Sequence, residues 1–545
     1  MILRWLSVLL LAITGTAGEV RISVSCPWHD QDGYTPALVR IEALVRPITV
    51  SVTVSIGNSS ARDVITVDPS TPVLRTILIP PDNGHGSGYV QVQWSSDREQ
   101  GDANTSATID YRAAALIALD PNEQLPLPQL QKFVAEHIHD TSGWRGGRYR
   151  SGSPAKAERT PADSLPDRWQ GWPTWLTLLT TQTGEALLTP AQREAIVTWT
   201  HAGGALFVTD AVSLKNWQRL GARVTRIAIE SADDPALRKR LLAASQDRSD
   251  QNEYKVPGTD QMPIGLFLTL AITFAVVAGP LNIWFVRRRG KPHLLLITTP
   301  LISAGTCLLL IIIALVADGL GKQRSVIQIV VLDQHTQRCI GFNGITWFCG
   351  LAPGEFTLDQ DDRAVPIDHN PMDWRSRREA AHLSLDWRSG QVAGSEWIPA
   401  RINRQLAITQ SRPERRRMTL TPLPSGKGWR VGNGLATRID ALQIVDASGV
   451  AWALTGLEPG EQRDLTQPMS RPGSISYSDA LRRCGLDAHL ATAELGVQPG
   501  TFIAKLHTPL LPIPGPTAVD AEPPQAWLAG VLDPAVGSAT TPEGF

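Results

Sequence analysis

Trp175-Leu-Thr-Leu-Leu-Thr180, then Thr189-Pro-Ala-Gln-Arg-Glu-Ala-Ile-Val-Thr-Trp-Thr-His-Ala202, then Gly203-Gly-Ala-Leu-Phe-Val-Thr209 is the stretch that decides the fold ahead of the most apolar part of the chain. The first run is apolar and of strand length. The second has helical spacing, with Thr189 suited to the N-cap, Pro190 to the first turn and Gly203 to the C-terminal cap. The third returns at once to an apolar strand. A strand, a capped helix and an immediate strand make a βαβ unit, and unbroken apolar strands belong in a parallel sheet buried on both faces.

Upstream, Ala114-Ala-Leu-Ile-Ala-Leu119 is another unbroken apolar strand and Pro128 to Ile138 has helical spacing. Residues 113–255 are therefore expected to form one α/β domain. Open α/β sheets bind ligands outside the carboxyl ends of their strands. Asp120, Thr180 and Asp210 stand at such ends and are the candidate ligand-binding residues, although both aspartates suit local capping equally well. No Gly-x-Ser-x-Gly elbow and no Gly-rich phosphate loop occurs. No catalytic residue, metal site or cofactor is assigned. Residues 141–167 are loop-like and basic, which suits either a solvated loop or a dock for an acidic partner or anionic glycan. Trp169, Trp172 and Trp175 recur every three residues, as a sugar-stacking row or as core.

Residues 19–112 alternate apolar and polar side chains, as in Ile48-Thr-Val-Ser-Val-Thr-Val-Ser-Ile56, with turn-rich clusters between. This predicts a β-sandwich of immunoglobulin-like type. Residues 323–507 again read as β-rich, and 508–545, rich in Pro, Ala and Gly, as a mostly irregular tail. Cys339 and Cys349 have nine residues between them, at either end of a predicted hairpin, and are a candidate disulfide in an oxidising compartment.

The remaining signals concern membranes. Arg4, a short apolar run and the small residues that follow predict a secretory signal over 1–18. Pro263–Val286 and Leu294–Ala317 are each 24 residues without Asp, Glu, Lys or Arg. Each reaches about 36 Å as a helix, enough for a hydrocarbon core of about 30 Å. Between them, at 287–293, Arg287, Arg288, Arg289 and Lys291 assign this loop to the cytoplasm by the positive-inside rule. An exported N-terminus followed by two crossings agrees. Gly279 and Pro280 are expected to kink the first span, and Asn282 to hydrogen-bond the second. A formal net charge of -1 over 545 residues gives no basic excess of the kind nucleic-acid binders carry.

Leu165-Pro-Asp-Arg-Trp169, the strand at 175–180, the helix from Thr189 to Trp199 and the Gly203-Gly204 step resemble the glutamine amidotransferase-like, flavodoxin-like domain of a group of uncharacterised bacterial membrane proteins. In those proteins the domain is joined to a β-sandwich and followed by a Gly-Pro transmembrane hairpin, which Gly279-Pro280 matches. The resemblance implies a multidomain α+β membrane protein belonging to a multi-protein membrane system. It does not carry amidotransferase activity. That chemistry needs a cysteine nucleophile, and Cys26, Cys307, Cys339, Cys349 and Cys484 all lie outside 113–255. The expected protein is a non-catalytic, multi-pass inner-membrane protein with both large domains extracytoplasmic, binding or scaffolding an envelope protein. The alternatives are a small-ligand receptor or degenerate-site enzyme at the α/β crevice, and a cell-wall glycan binder.

Overall fold

The computed structural model describes residues 15–532 apart from 18, 31–32, 83–88, 111–114, 138–155, 228–233, 246–254, 260–263, 319–320, 368–381, 425–427, 470–479, 481–483 and 485–498. The molecule is mixed α+β, with two large sheets, a five-stranded parallel sheet, a three-stranded sheet and two long apolar helices. The signal assigned to 1–18 falls almost wholly outside the described residues; 15–17 form a short strand against Val20–His29.

Period-two patterning acts as expected in the first sheet. Along Ile48–Ile56, the five apolar side chains are buried while Thr49, Ser51, Thr53 and Ser55 face outward. Ser59–Val67, Ile48–Ile56, Tyr89–Ser95, Gln100–Asp110, Val20–His29, Thr35–Ala43 and Val73–Ile79 lie side by side in that order. The sheet is not closed by the first hundred residues. Ser384–Asp386 runs parallel to Ser59–Val67, with Ser384 opposite Ser60, and Gln391–Ala393 and Phe356–Leu358 extend it. Trp347, Phe356, Leu385 and Trp397 share one core with Val50, Val52 and Trp94. The divisions at 19–112 and 323–507 therefore do not separate cores. Alternation marks a face that must be buried, not the segment that buries it.

The second large sheet is built around Lys322–Asp333, which pairs with Arg338–Cys349 on one side and Gln525–Val531 on the other. The irregular tail expected from 508 is corrected here. Gln525–Val531 is an interior strand, parallel to Lys322–Asp333 and antiparallel to Thr501–Leu506. Its Leu528 is fully buried. Flanking prolines obscured a seven-residue apolar run; residues 533–545 lie outside the described part. The disulfide is corrected too. Cys339 and Cys349 are free and buried near opposite ends of one extended strand, Arg338–Cys349, rather than facing each other. Ten steps along a strand cover about 33 Å, whereas a disulfide needs Cα atoms within about 7 Å. Burial pushes the Cys339 thiol up to about 12, so it stays protonated.

The five-stranded sheet is wholly parallel, in the order Lys156–Arg159, Ala115–Leu119, Leu176–Thr180, Ala205–Val208, Val224–Arg226. The helix Pro190–His201 has the expected start: Thr189 Oγ1 accepts from Gln192 N at 3.2 Å, and the Gln192 side chain accepts from Thr189 N at 3.0 Å. At its end Gly203 adopts φ +105°, and a Cβ on Gly204 would overlap the Trp199 indole. The Trp-x-x-x-Gly-Gly step thus turns the chain and admits the ring.

Trp28 from the first sheet packs at a tilt against Trp172, and Trp172 against Trp199, at ring-centroid distances of 5.3 and 5.2 Å. Next to them Arg363 Nη2 bonds Asp30 Oδ2 at 3.0 Å, and Trp175 Nε1 donates to Asp30 Oδ1 at 3.3 Å. One junction so joins the first sheet, the α/β layer and the chain beyond the apolar helices.

Those helices are Ile264–Arg288, whose middle, Val277–Leu281, is one π turn, and Leu295–Asp318. The π turn encloses Gly279 and Pro280. Asn282 Nδ2 donates to Thr299 Oγ1 of the second helix at 3.1 Å.

Candidate functional site

In the parallel sheet the chain first moves outward, from 115–119 to 156–159, and then crosses back to 176–180 on the other side of 115–119. This reversal, between Ala115–Leu119 and Leu176–Thr180, is where an open α/β sheet would present a ligand crevice. Asp120 and Thr181 follow the two strands directly.

The crevice position is filled by the protein's own chain. Thr181 donates to Leu119 O from both its backbone N and its Oγ1, each at 3.3 Å. Thr181 Oγ1 also accepts from Gly184 N at 3.2 Å, so it caps the helix Gln182–Ala186. A Cβ on Gly184 would overlap Leu119 O. Only glycine lets this helix rest on the strand end, and it closes the sheet at the reversal.

Asp120 is buried; its Oδ2 accepts from Leu125 N at 2.7 Å and lies 3.6 Å from Arg159 Nη2. Thr180 is fully buried and donates to Thr181 O at 3.2 Å. Asp210 Oδ1 accepts from Val212 N at 2.9 Å and Ser213 N at 2.7 Å, capping Ala211–Arg219. All three stand at strand ends of one sheet. Each makes local hydrogen bonds, and Asp120 keeps a buried Oδ1 without a hydrogen-bond partner. Glu185, which the sequence reading passed over, is buried beside them and accepts from Asn216 Nδ2 at 3.2 Å. Its signal was its place in the first turn after the Thr181 cap. Chemically, Asp210 caps a helix and Asp120 pairs with Arg159, while Glu185 Oε2 and Ser213 Oγ are buried without a hydrogen-bond partner.

Trp169, Trp172 and Trp175 are buried. Trp172 Nε1 donates to Pro166 O at 3.2 Å, so they form core and not an exposed sugar-stacking row. Of the basic loop, 141–155 lie outside the described residues. Among the described residues no group of three or more His, Cys, Asp or Glu is arranged to hold a metal ion.

On the outward face of the first sheet, Ser51, Thr53, Arg62, Gln91, Gln93 and Asp102 line a shallow depression of about 710 Å³. Its amides, hydroxyls and one charge of each sign are suited to hydrogen-bonding a polar partner.

A further buried group links the α/β layer to the second sheet. His201, in the last turn of Pro190–His201, has Nε2 2.7 Å from Gly221 O and Nδ1 3.9 Å from Asp333 Oδ2. Burial, reinforced by Arg223, pushes it down to about 4. Nearby Arg338 donates to Thr198 Oγ1 at 3.0 Å and pairs with Glu194.

No protein-family model matches the chain, and no curated protein matches it. Two solved structures of the yeast delta-COP-I mu-homology domain, one complexed with a WxWxV peptide, align with it at 8% and 9% identity. Each alignment covers 39% of this chain and 96% of the other, with a TM-score of 0.18. That score is below what defines a shared fold.

Proposed function

We propose that this chain is a non-catalytic envelope protein, anchored by two membrane-spanning helices, whose extracytoplasmic body binds or scaffolds a protein partner. The observation that carries the reading is the interleaving of the chain about its apolar helices. Ser384–Asp386 pairs with Ser59–Val67, and Asn403 Oδ1 accepts from Val256 N at 3.1 Å. Segments before and after the helices share a core, so both lie on one side of any membrane. The helices then cross as a pair, with Arg287, Arg288, Arg289 and Lys291 at the far side. The positive-inside rule makes that side the cytoplasm.

The non-catalytic part rests on the filled strand reversal and on the local hydrogen bonds that Asp120, Thr180 and Asp210 make. The strand order of the parallel sheet (second, first, third, fourth, fifth) is that of flavodoxin-like folds. It supports the likeness to the amidotransferase-like domain of bacterial membrane proteins, here without the catalytic cysteine. The partner is expected among envelope proteins of a multi-component membrane system.

The test is protease added to spheroplasts carrying the full chain, with crosslinked co-purification from intact cells. Digestion of the regions before 260 and after 320, leaving a protected hairpin, is the expected result. Envelope proteins crosslinked to the body identify the partner. Protection of both large regions would reverse the orientation and return the α/β crevice to consideration as a metabolite site.

A further inference from the structure

The rim of the folded body nearest the apolar helices carries large apolar side chains that stand exposed among the described residues. Leu351 is 55% exposed, Ile402 52% and Val519 72%. They come from three distant parts of the sequence, and the sheet register brings them to one edge. Lys322, the first residue of its strand, stands opposite Cys349. Gly350 N bonds Gly321 O at 3.0 Å, which sets Leu351 beside the start of that strand. Cys349 bridges Ala400, and Arg401 N bonds Cys349 O at 2.7 Å, which sets Ile402 on the same edge. Val519 pairs with Gln323.

The chain fixes this edge to the helices at two points. The second helix ends at Asp318 and the strand begins at Lys322. The four residue steps from one to the other span at most about 14 Å. On the other side, Val256 N and Thr259 Oγ1 both donate to Asn403 Oδ1, at 3.1 and 3.3 Å, one residue from Ile402. The first helix starts at Ile264, and the five residue steps from Thr259 to it span at most about 18 Å. Two tethers this short, emerging from both spans, hold Leu351, Ile402 and Val519 over the bilayer surface.

We infer that this rim is a membrane-docking surface: Leu351, Ile402 and Val519 seat in the headgroup–acyl boundary of the bilayer that the chain's own helices cross. Apolar side chains at an interface gain by burying their area a few ångströms into that boundary. With one edge seated and two tethers, the body has a fixed orientation on the membrane and presents its opposite end, around His335, to the envelope. This rests on the membrane-anchoring reading.

The experiment uses the full chain in lipid vesicles, with a fluorophore on single cysteines and lipids brominated near the headgroup or deep in the acyl chain. Cys307, exposed on the second helix, reports the span. In a Cys307→Ser background, Leu351→Cys, Ile402→Cys and Val519→Cys report the rim, and His335→Cys reports the far end. The expected result is loss of emission at the three rim positions with headgroup-brominated lipid, none at 335, and loss at 307 with deep-brominated lipid. Quenching at 307 with rim labels as bright as 335 overturns the docking surface while keeping the anchor. Rim labels that emit as if buried but escape lipid quenching mean that a protein covers the rim, which also overturns it. Absence of quenching at 307 removes the anchoring reading, and the inference with it.

Discussion

Gly204 shows how one missing carbon sets local packing. The Trp199 indole lies where its Cβ would be, and that ring is held by its own bond from Nε1 to Pro173 O at 3.0 Å. Gly204→Ala is expected to lower stability by about 1–3 kcal/mol, as overpacking does, read as a lower thermal midpoint in detergent. Asp30 is a stronger case, because Arg363 and Trp175 both depend on it in a buried setting. Asp30→Ala should cost about 3–5 kcal/mol, the usual result of stranding one member of a buried ion pair, by the same measurement. His201 makes stability depend on pH. Its folded value of about 4 lies below the ordinary 6.5, so the unfolded chain binds the extra proton between those values. Its contribution is complete above pH 6.5 and is lost as pH falls toward 4. Asp362, pushed up to about 6 by burial, works in the opposite direction over an overlapping range. The useful quantity is therefore the difference between wild type and His201→Gln, in which the loss of midpoint between pH 6.5 and 4 should shrink. Equal slopes in the two proteins would remove His201 from the account.

Single elements divide into those the sequence made legible and those it did not. The strand 175–180, the capped helix and the strand from Ala205 fall within a residue of their expected limits, because each carries its own start and stop signals. Thr189→Ala should cost about 1 kcal/mol through loss of the cap, measurable as a lower denaturation midpoint. The two apolar helices were equally plain, although their inner geometry was not. Pro280 was expected to kink the helix, and the chain takes a π turn over Val277–Leu281, a known way for a helix to absorb a lost donor. Asn282 follows that turn and meets Thr299; Asn282→Leu is expected to weaken helix pairing by about 1 kcal/mol, read by unfolding in bicelles. The strand 525–531 and the pairing of 384–386 with the first sheet were not legible, because their signals are partners hundreds of residues away. The candidate site was half legible. Strand-end residues could be listed from the apolar runs, but that Gly184 lets a helix close the reversal depends on a contact with Leu119 that no local pattern encodes.

At the scale of the molecule, the core of the first sheet is shared by the segments before and after the helices, whereas the α/β layer and the second sheet fill cores of their own. Residues 19–255 expressed without the rest should aggregate or stay protease-sensitive, and supplying 323–532 as a second exported chain should restore a resistant core. A stable, monomeric 19–255 would count against the shared core. The same pairing sets a timetable for the living cell. The edge at Ser60 stays open until Ser384 has been made, and synthesis proceeds at about 5–20 residues per second. In the orientation proposed above, a half-built sheet stands outside the membrane for tens of seconds, while the ribosome is still threading the hairpin that its missing strands will follow.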